Sequence, residues 1–371
     1  MALDVLALTK ELVAIDSVSR NSNRKAADWL EALLRDRGFA TERLEYTDAA
    51  GVRKANVVGR KGAGTGGLAF LSHLDTVPGS GWSTNAWAPR VEGDRLIGLG
   101  ACDMKGPLVA TVVAADAIDA ARLGRPVVIV GSADEEVGFA GARQVAAESA
   151  LLKEARPAHG VVAEPTSLVP VHAHKGGASV RVTAHGRAAH TSKDTGISAN
   201  FLIAPFLAEM AELAQRLKAD ASYHNPEFDP PTPGFNLTLT DYNTAGNVTA
   251  AKTTATLGLR PAPNDRSADI VAEIEERARR YGFEVESRLG RPFQTSTDAA
   301  IVRAALAATG QARSQVVPYG TEAAVYQQLM DLVILGPGDI AQAHTDGEWI
   351  ELAQLRDAVT VYTSLIEQLC V

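Results

Sequence analysis

The chain has 371 residues, 46% of them apolar and 22% charged, an ordinary soluble composition that excludes a disordered or fibrous protein and suits two or three domains or one domain with an insertion. Lys plus Arg number 36 against 44 Asp plus Glu, a formal net charge of −8, and no basic run breaks the pattern, which argues against nucleic acid and anionic membranes as partners. Cys102 and Cys370 are too few for a disulfide framework and lack the spacing of a cysteine zinc site, so a reducing cytoplasm fits.

Asp4, Lys10 and Glu11 interrupt what would be the apolar core of a signal peptide, and no apolar stretch reaches the roughly 18 residues of a membrane-spanning helix. Leu3, Leu6, Leu8, Leu12 and Val13, then Ala26, Ala27, Leu30, Leu33 and Leu34, recur near helical spacing and predict two amphipathic helices, the second closed by Gly38. Strands are predicted over 40–46, 55–59 and 68–71. The glycine-rich turn 61–67 lacks Gly-Lys-Ser/Thr and leads into a strand, so it does not read as a phosphate loop. An apolar helix over 107–123, a strand at 127–130, a helix over 140–150 and a strand at 160–163 follow. This alternation predicts an α/β domain with a sandwiched, mostly parallel sheet.

From about Ala178 the order becomes strand, helix (199–218), strand, strand, helix (267–280), which suits a small separate sheet with both helices on one face. After Ser287 helices at 298–308 and 321–330, a strand at 332–335 and a last helix from Leu352 restore the α/β pattern. One α/β domain interrupted by a smaller insert explains the order.

Chemistry-bearing residues follow the predicted strands. His73-Leu-Asp75 ends the strand from Leu68, and on extended backbone its outer residues share a face, so Asp75 can accept the second imidazole N–H of a metal-ligating His73. For the tripeptide alone, a polar strand end with an incidental carboxylate neighbour is the more ordinary reading. Asp103 lies in Gly98-Leu-Gly-Ala-Cys-Asp-Met-Lys-Gly106, either as a helix cap or in a loop where backbone approaches a ligand. Asp134-Glu135-Glu136 emerges from a buried strand, where ligands collect in α/β sheets, although a solvated loop has the same composition. Glu164 follows the next strand, and His344 the strand at 332–335. Singly each has an ordinary explanation; jointly they point to one site.

In that order His73-Leu-Asp-Thr-Val-Pro78, the 98–106 loop, Asp134-Glu-Glu136, Ala163-Glu-Pro-Thr166 and His344 resemble the two-zinc aminoacylase, acetylornithine deacetylase and carboxypeptidase family of metallohydrolases, essentially end to end. The resemblance implies a discontinuous catalytic domain, 1–176 and 288–371, with an inserted lid and dimerisation domain over 177–287, and hence a homodimer. It implies that His73 and Glu164 bind one zinc, Glu136 and His344 the other, and that Asp103 bridges them, with cobalt or manganese as substitutes. Glu135 would then be the general base turned general acid of amide hydrolysis, with Asp75 in a supporting catalytic role. In His185-Gly-Arg-Ala-Ala-His190, similar to the family's lid motif, His190 would donate to the carbonyl oxygen across the dimer; the alternative is a surface histidine. Asn247 and Arg260 fall where relatives bind the substrate's α-carboxylate, although Gly258 replaces an acid common in relatives.

Gly320-Thr-Glu-Ala323 and Leu335-Gly-Pro-Gly-Asp-Ile-Ala-Gln-Ala-His344 resemble the acetylornithine and acetylcitrulline deacetylase branch. Glu322 would pair with a cationic substrate side chain, or else is a first-turn helix residue. The expected substrate is a small acylated amino acid, acetylornithine first, in arginine biosynthesis. Acetylcitrulline and acetyl-lysine are the near alternatives, with desuccinylation of succinyl-diaminopimelate or dipeptide cleavage behind them. A non-catalytic binding protein on the same scaffold would lack a ligand or the base, and none of those positions is missing.

Overall fold

Short runs that are apolar from end to end, rather than alternating, suit strands buried on both faces. In the computed structural model, which describes residues 3–371, Leu68–His73 pairs in parallel with Val127–Ser132 on one side and with His159–Val162 on the other. Asp331–Ile334 continues the parallel set beside His159–Val162. Beyond Val127–Ser132 the sheet turns antiparallel, through Arg53–Lys61 and then Ala40–Thr47. These strands belong to a unit made of residues up to His172, Thr295–Gln315 and Thr321–Val371.

Parallel neighbours need crossovers, and helices provide them. Lys105–Asp116 is buried from Lys105 through Ala115, as expected of a helix apolar on every side, and packs between Val5–Val13 and Leu352–Cys370. Leu352–Cys370 turns one stripe inward, including Leu355, Ala358, Tyr362, Leu365 and Ile366. Tyr362 joins this helix to the sheet, its ring 5.2 Å from that of Phe70 and its hydroxyl donating to Leu335 O at 2.8 Å.

Three local differences from expectation have physical causes. The predicted 140–150 helix is two, Ala140–Glu148 and Ala150–Ala155, because Ser149 leaves the helix and its hydroxyl caps the second one through Leu152 N–H. The predicted 107–123 helix ends at Asp116, followed by a single 3₁₀ turn at Ala120–Arg122 capped by Asp119. The predicted 321–330 helix is only Ala323–Tyr326. A small sheet of Arg90–Glu92, Arg95–Ile97 and Trp349–Glu351 carries too few residues to show a period.

The second unit, Ala173–Gln294 with Val316–Gly320, has an antiparallel sheet in the order Asn236–Thr240, Lys252–Leu259, Ala178–His185, Glu284–Leu289. Helices Ala199–Ala219 and Ser267–Arg280 bury Ile203, Phe206, Ile270 and Ile274 with Val180, Val182 and Leu257 in one core. Glu284–Leu289 is mostly exposed, which is why no apolar pattern marked it as a strand. The architecture is the expected class: α/β with a sheet whose four central strands are parallel, carrying an α+β insert. No helix among the described residues is long and apolar enough to cross a membrane.

Candidate metal centre

Parallel strands end on the same side, so whatever follows their carboxyl ends converges there. His73 closes Leu68–His73, opposite Ser132 in the register; Glu135 and Glu136 follow Val127–Ser132; Glu164 follows His159–Val162; and His344 lies beyond Asp331–Ile334. Asp103 arrives from the loop before Lys105–Asp116.

All of these except Glu135 form two triads that share Asp103. Ligand atoms of His73, Asp103 and Glu164 lie within 4.8 Å of one another, as do those of Asp103, Glu136 and His344. The two Asp103 oxygens are divided between the histidines: Oδ1 is 3.1 Å from His73 Nε2, and Oδ2 is 3.2 Å from His344 Nε2. Glu164 Oε1 is 3.8 Å from His73 Nε2, and Glu136 Oε1 is 3.1 Å from His344 Nε2. His73 Nδ1 lies 2.9 Å from the Asp75 carbonyl, which can only accept, so Nδ1 carries the hydrogen and the Nε2 lone pair of the neutral ring points at the carboxylates. A nitrogen and carboxylate set of this kind suits a pair of divalent cations.

The electrostatics are those of acids crowded away from water. Burial pushes the Glu135 and Glu164 carboxyls well above the ordinary range, reinforced by the neighbouring carboxylates. Burial works the same way on Asp103, but hydrogen bonds from His344 and His73 outweigh it and hold that group low. Hydrogen bonds to Asp103 and Glu136 raise His344 to about 10. Burial opposes the charged form of His73, yet Asp103 and the surrounding acids lift it well above the usual imidazole range.

The sequence matches the model of Peptidase family M20/M25/M40 over residues 69–368. The chain belongs to the M20 family. It is 34% identical to the acetylornithine deacetylase of Myxococcus xanthus, with 97% of this chain and 96% of that protein covered. It is 33% identical to the acetylornithine deacetylase of Proteus mirabilis, covering 98% and 95%. Among solved structures it is similar to the M20 family metallo-carboxypeptidase Sso-CP2 from Sulfolobus solfataricus, with a TM-score of 0.78 and 18% identity over 98% of this chain and 99% of that one. The Bacillus subtilis YXEP protein, described as a dinuclear metal binding peptidase from the M20 family, superposes with a TM-score of 0.64 at 15% identity over 98% and 96%. The chain is thus an M20 metallohydrolase with a candidate metal centre.

In this M20 chain Asp75 lies beside His73 but bonds elsewhere than its spacing suggests. Its carboxylate stands 3.7 Å from His73 Nδ1, whose hydrogen goes to the backbone carbonyl instead. The carboxylate is occupied otherwise: Oδ1 accepts Glu135 N–H at 3.1 Å, and Oδ2 accepts Glu136 N–H at 3.3 Å and the Ser19 hydroxyl at 2.7 Å. Glu322 also departs from expectation. It is wholly buried, with Ser132 Oγ donating to Oε2 at 2.7 Å, and it offers no surface for a cationic ligand to touch. Burial raises its carboxyl to about 7.

Several supporting residues carry no local signal in the sequence. Lys54 Nζ pairs with Asp134 Oδ1 at 2.9 Å, Tyr46 OH donates to Asp134 Oδ2 at 2.7 Å, and Asn56 Oδ1 accepts Ala133 N–H at 2.8 Å. Asp134 itself sits at φ 59, a conformation a non-glycine residue holds only when its surroundings fix it. Glu348, 1% exposed, accepts the N–H groups of Cys102 and Asp103.

His190, Asn247 and Arg260 belong to the second unit, and all three are exposed. The first two are neighbours, since His190 bridges to Val248 and Thr191 N–H donates to Asn247 O. His190 Nδ1 accepts Ser192 N–H at 3.2 Å and lies 2.7 Å from Ser192 Oγ. A backbone amide can only donate, so the ring hydrogen of neutral His190 resides on Nε2. Arg260 packs its stem beside Gly234, where a Cβ would come within 3.3 Å of Arg260 Cγ.

Proposed function

We propose that the chain removes the acetyl group from an Nα-acetyl amino acid, with N-acetylornithine as substrate and ornithine and acetate as products, in arginine biosynthesis. The observation that carries the hydrolytic reading is the pair of triads joined through Asp103. The substrate rests on curated relatives, named acetylornithine deacetylase, that align along almost the whole chain.

In this reading His73 and Glu164 hold one zinc, Glu136 and His344 the second, and Asp103 both, with cobalt or manganese able to replace them. When bound, the pair supplies Lewis acidity that polarises the scissile carbonyl and lowers the pKa of a water. Glu135 does the proton work. Its carboxylate makes no hydrogen bond among the described residues, whereas Glu136 beside it is engaged with His344. A buried carboxylate with a raised pKa takes the water's proton as the C–O bond forms and delivers it to the amine nitrogen as the C–N bond breaks. Across the proposed dimer, His190 of a second copy, with its hydrogen on Nε2, would donate to the carbonyl oxygen as charge develops there, and Asn247 and Arg260 would receive the α-carboxylate.

We further infer that the inserted unit is the lid and the homodimer contact. Asn236–Thr240 is an edge strand of its sheet, Leu239 on it is 53% exposed, and Phe201 on the nearby helix is 82% exposed. Asn200 Nδ2 donates to Asp241 Oδ2 at 3.4 Å, joining the start of that helix to the residue after this strand. An edge strand beside exposed apolar residues is a ready pairing surface for a second copy.

Steady-state kinetics of the metal-loaded protein on acetylornithine, acetylcitrulline, acetyl-lysine, succinyl-diaminopimelate and a dipeptide test the assignment. Acetylornithine is expected to lead by at least about tenfold in kcat/KM, near 1.4 kcal/mol. A tenfold lead for any other substrate overturns the choice, and no hydrolysis of any of them overturns the reaction class.

A further inference from the structure

Glu348 is a buried acid near Asp103, with no cation bonded to it among the described residues, and it is bound instead by backbone amides. Oε1 accepts the N–H of Cys102 at 2.9 Å and that of Asp103 at 3.0 Å. The backbone of Glu348 grips the same loop from the other side, its carbonyl accepting Gly98 N–H at 2.9 Å. Its own N–H donates to Thr345 O at 3.3 Å, closing the short segment that starts at His344. One residue therefore ties the loop presenting Asp103 to the segment presenting His344.

We propose that Glu348 is a positioning residue of the metal centre, acting as the acceptor that fixes the Cys102–Asp103 backbone so that the Asp103 carboxylate faces both triads. The inference rests on reading the site as a two-metal centre. Asp103 is the one group common to both triads, so a loop free to rotate there would loosen both together. Amide N–H groups are obligate donors, and Cys102 and Asp103 are themselves buried, so without Oε1 they face no acceptor and the loop must shift to find one. What this position requires is an acceptor oxygen at the end of a three-carbon arm. Glutamine provides it; alanine removes it, and aspartate withdraws it by one methylene.

The test compares Glu348→Gln, Glu348→Ala and Glu348→Asp with the wild-type chain. Metal equivalents retained after dialysis, zinc affinity by chelator competition, and the visible spectrum of the cobalt-loaded proteins are measured alongside kcat at saturating metal. Glu348→Gln is expected to hold two equivalents with near-native affinity and a native cobalt spectrum. Glu348→Ala is expected to lose about 10- to 100-fold in metal affinity, the range for residues that orient ligands, with displaced cobalt bands. A role in folding alone would not move the spectrum of the folded, metal-saturated fraction. Should Glu348→Ala fail to fold, Glu348→Asp carries the same expected loss. Native affinity and spectrum in the folded shortened variant, or a glutamine variant as impaired as alanine, would overturn the proposal. A wild-type chain that binds no divalent ion would instead defeat the metal-centre reading beneath it.

Discussion

Replacing Asp75 by asparagine separates two accounts of that residue. If the carboxylate existed to orient His73, asparagine would keep an oxygen for the imidazole hydrogen, and the damage would fall on metal affinity at the His73 triad. The geometry puts its weight elsewhere. The carboxylate accepts Glu135 N–H, Glu136 N–H and the Ser19 hydroxyl. Both amides must donate, and asparagine has one acceptor oxygen and one NH₂, so at least one amide would face another donor. Losing one charge-assisted bond costs about 1.5–3 kcal/mol, and the unpaired buried amide adds a cost of about 1–3 kcal/mol. A net effect of about 3 kcal/mol, or roughly 10²-fold, is expected on kcat, because the turn that moves carries Glu135, the proposed general base. The His73 triad should keep its affinity, since His73 keeps its carbonyl partner, and any loss of metal should fall on the Glu136 triad, which shares the turn that moves. Turnover near wild type with weakened metal binding would refute the reasoning.

Three further outcomes follow from the same geometry. Glu135→Gln should retain both metals by elemental analysis while kcat falls by about 10²- to 10⁴-fold, the usual share of a general base; near-native turnover would exclude the role. Loading the metal-free protein near pH 7 should release roughly one proton or more per chain, because His344, raised to about 10, must deprotonate to become a ligand. In the metal-free protein that same shift contributes stability fully present below the unfolded imidazole value of about 6.5 and lost as pH rises toward 10. Calorimetric loading in buffers of different ionisation enthalpy measures the release, and identical heats in all of them would contradict it. Glu322 behaves oppositely to a paired carboxylate: raised by burial from 4.5 to about 7, it costs nothing below about pH 4.5 and about 3 kcal/mol once ionised above pH 7. Thermal melts of Glu322→Gln should therefore match wild type in acid and exceed it increasingly toward pH 8; a gap independent of pH would reject the cause.

The candidate ligands were legible because four of them follow strands whose apolar runs are unmistakable, as with Val127–Ser132 before Glu136, while Asp103 precedes an apolar helix. The bonds around them were not. Spacing brings His73 and Asp75 to one face, but which acceptor takes the Nδ1 hydrogen depends on Glu135, Glu136 and Ser19, contributed by distant segments. Glu322 illustrates the same limit, since a local motif cannot report that its side chain is sealed against Ser132. In the fold, helices with a clear stripe such as Leu352–Cys370 were readable, while Trp349–Glu351 and its two partner strands, three residues each, hold too little periodicity.

The antiparallel edge of the sheet bears on the two adjacent acids, for which different roles are proposed. Lys54 and Asn56 alternate along Arg53–Lys61 and so reach the same turn, one gripping Asp134 and the other Ala133 N–H. Tyr46, from the outermost strand Ala40–Thr47, closes on the second Asp134 oxygen. Asp134, gripped by these contacts, sits at φ 59 at the start of the turn, and Asp75 accepts the N–H groups of both Glu135 and Glu136. Only one of the pair reaches His344. The buried Lys54–Asp134 pair is accordingly the tether on which that division depends, and removing one partner of such a pair typically costs about 3–5 kcal/mol. Lys54→Met should thus lower the melting temperature and kcat together, whereas Glu135→Gln should lower kcat alone; a Lys54→Met protein with reduced stability but unchanged turnover would show that the edge hairpin supports the fold without setting the direction of Glu135.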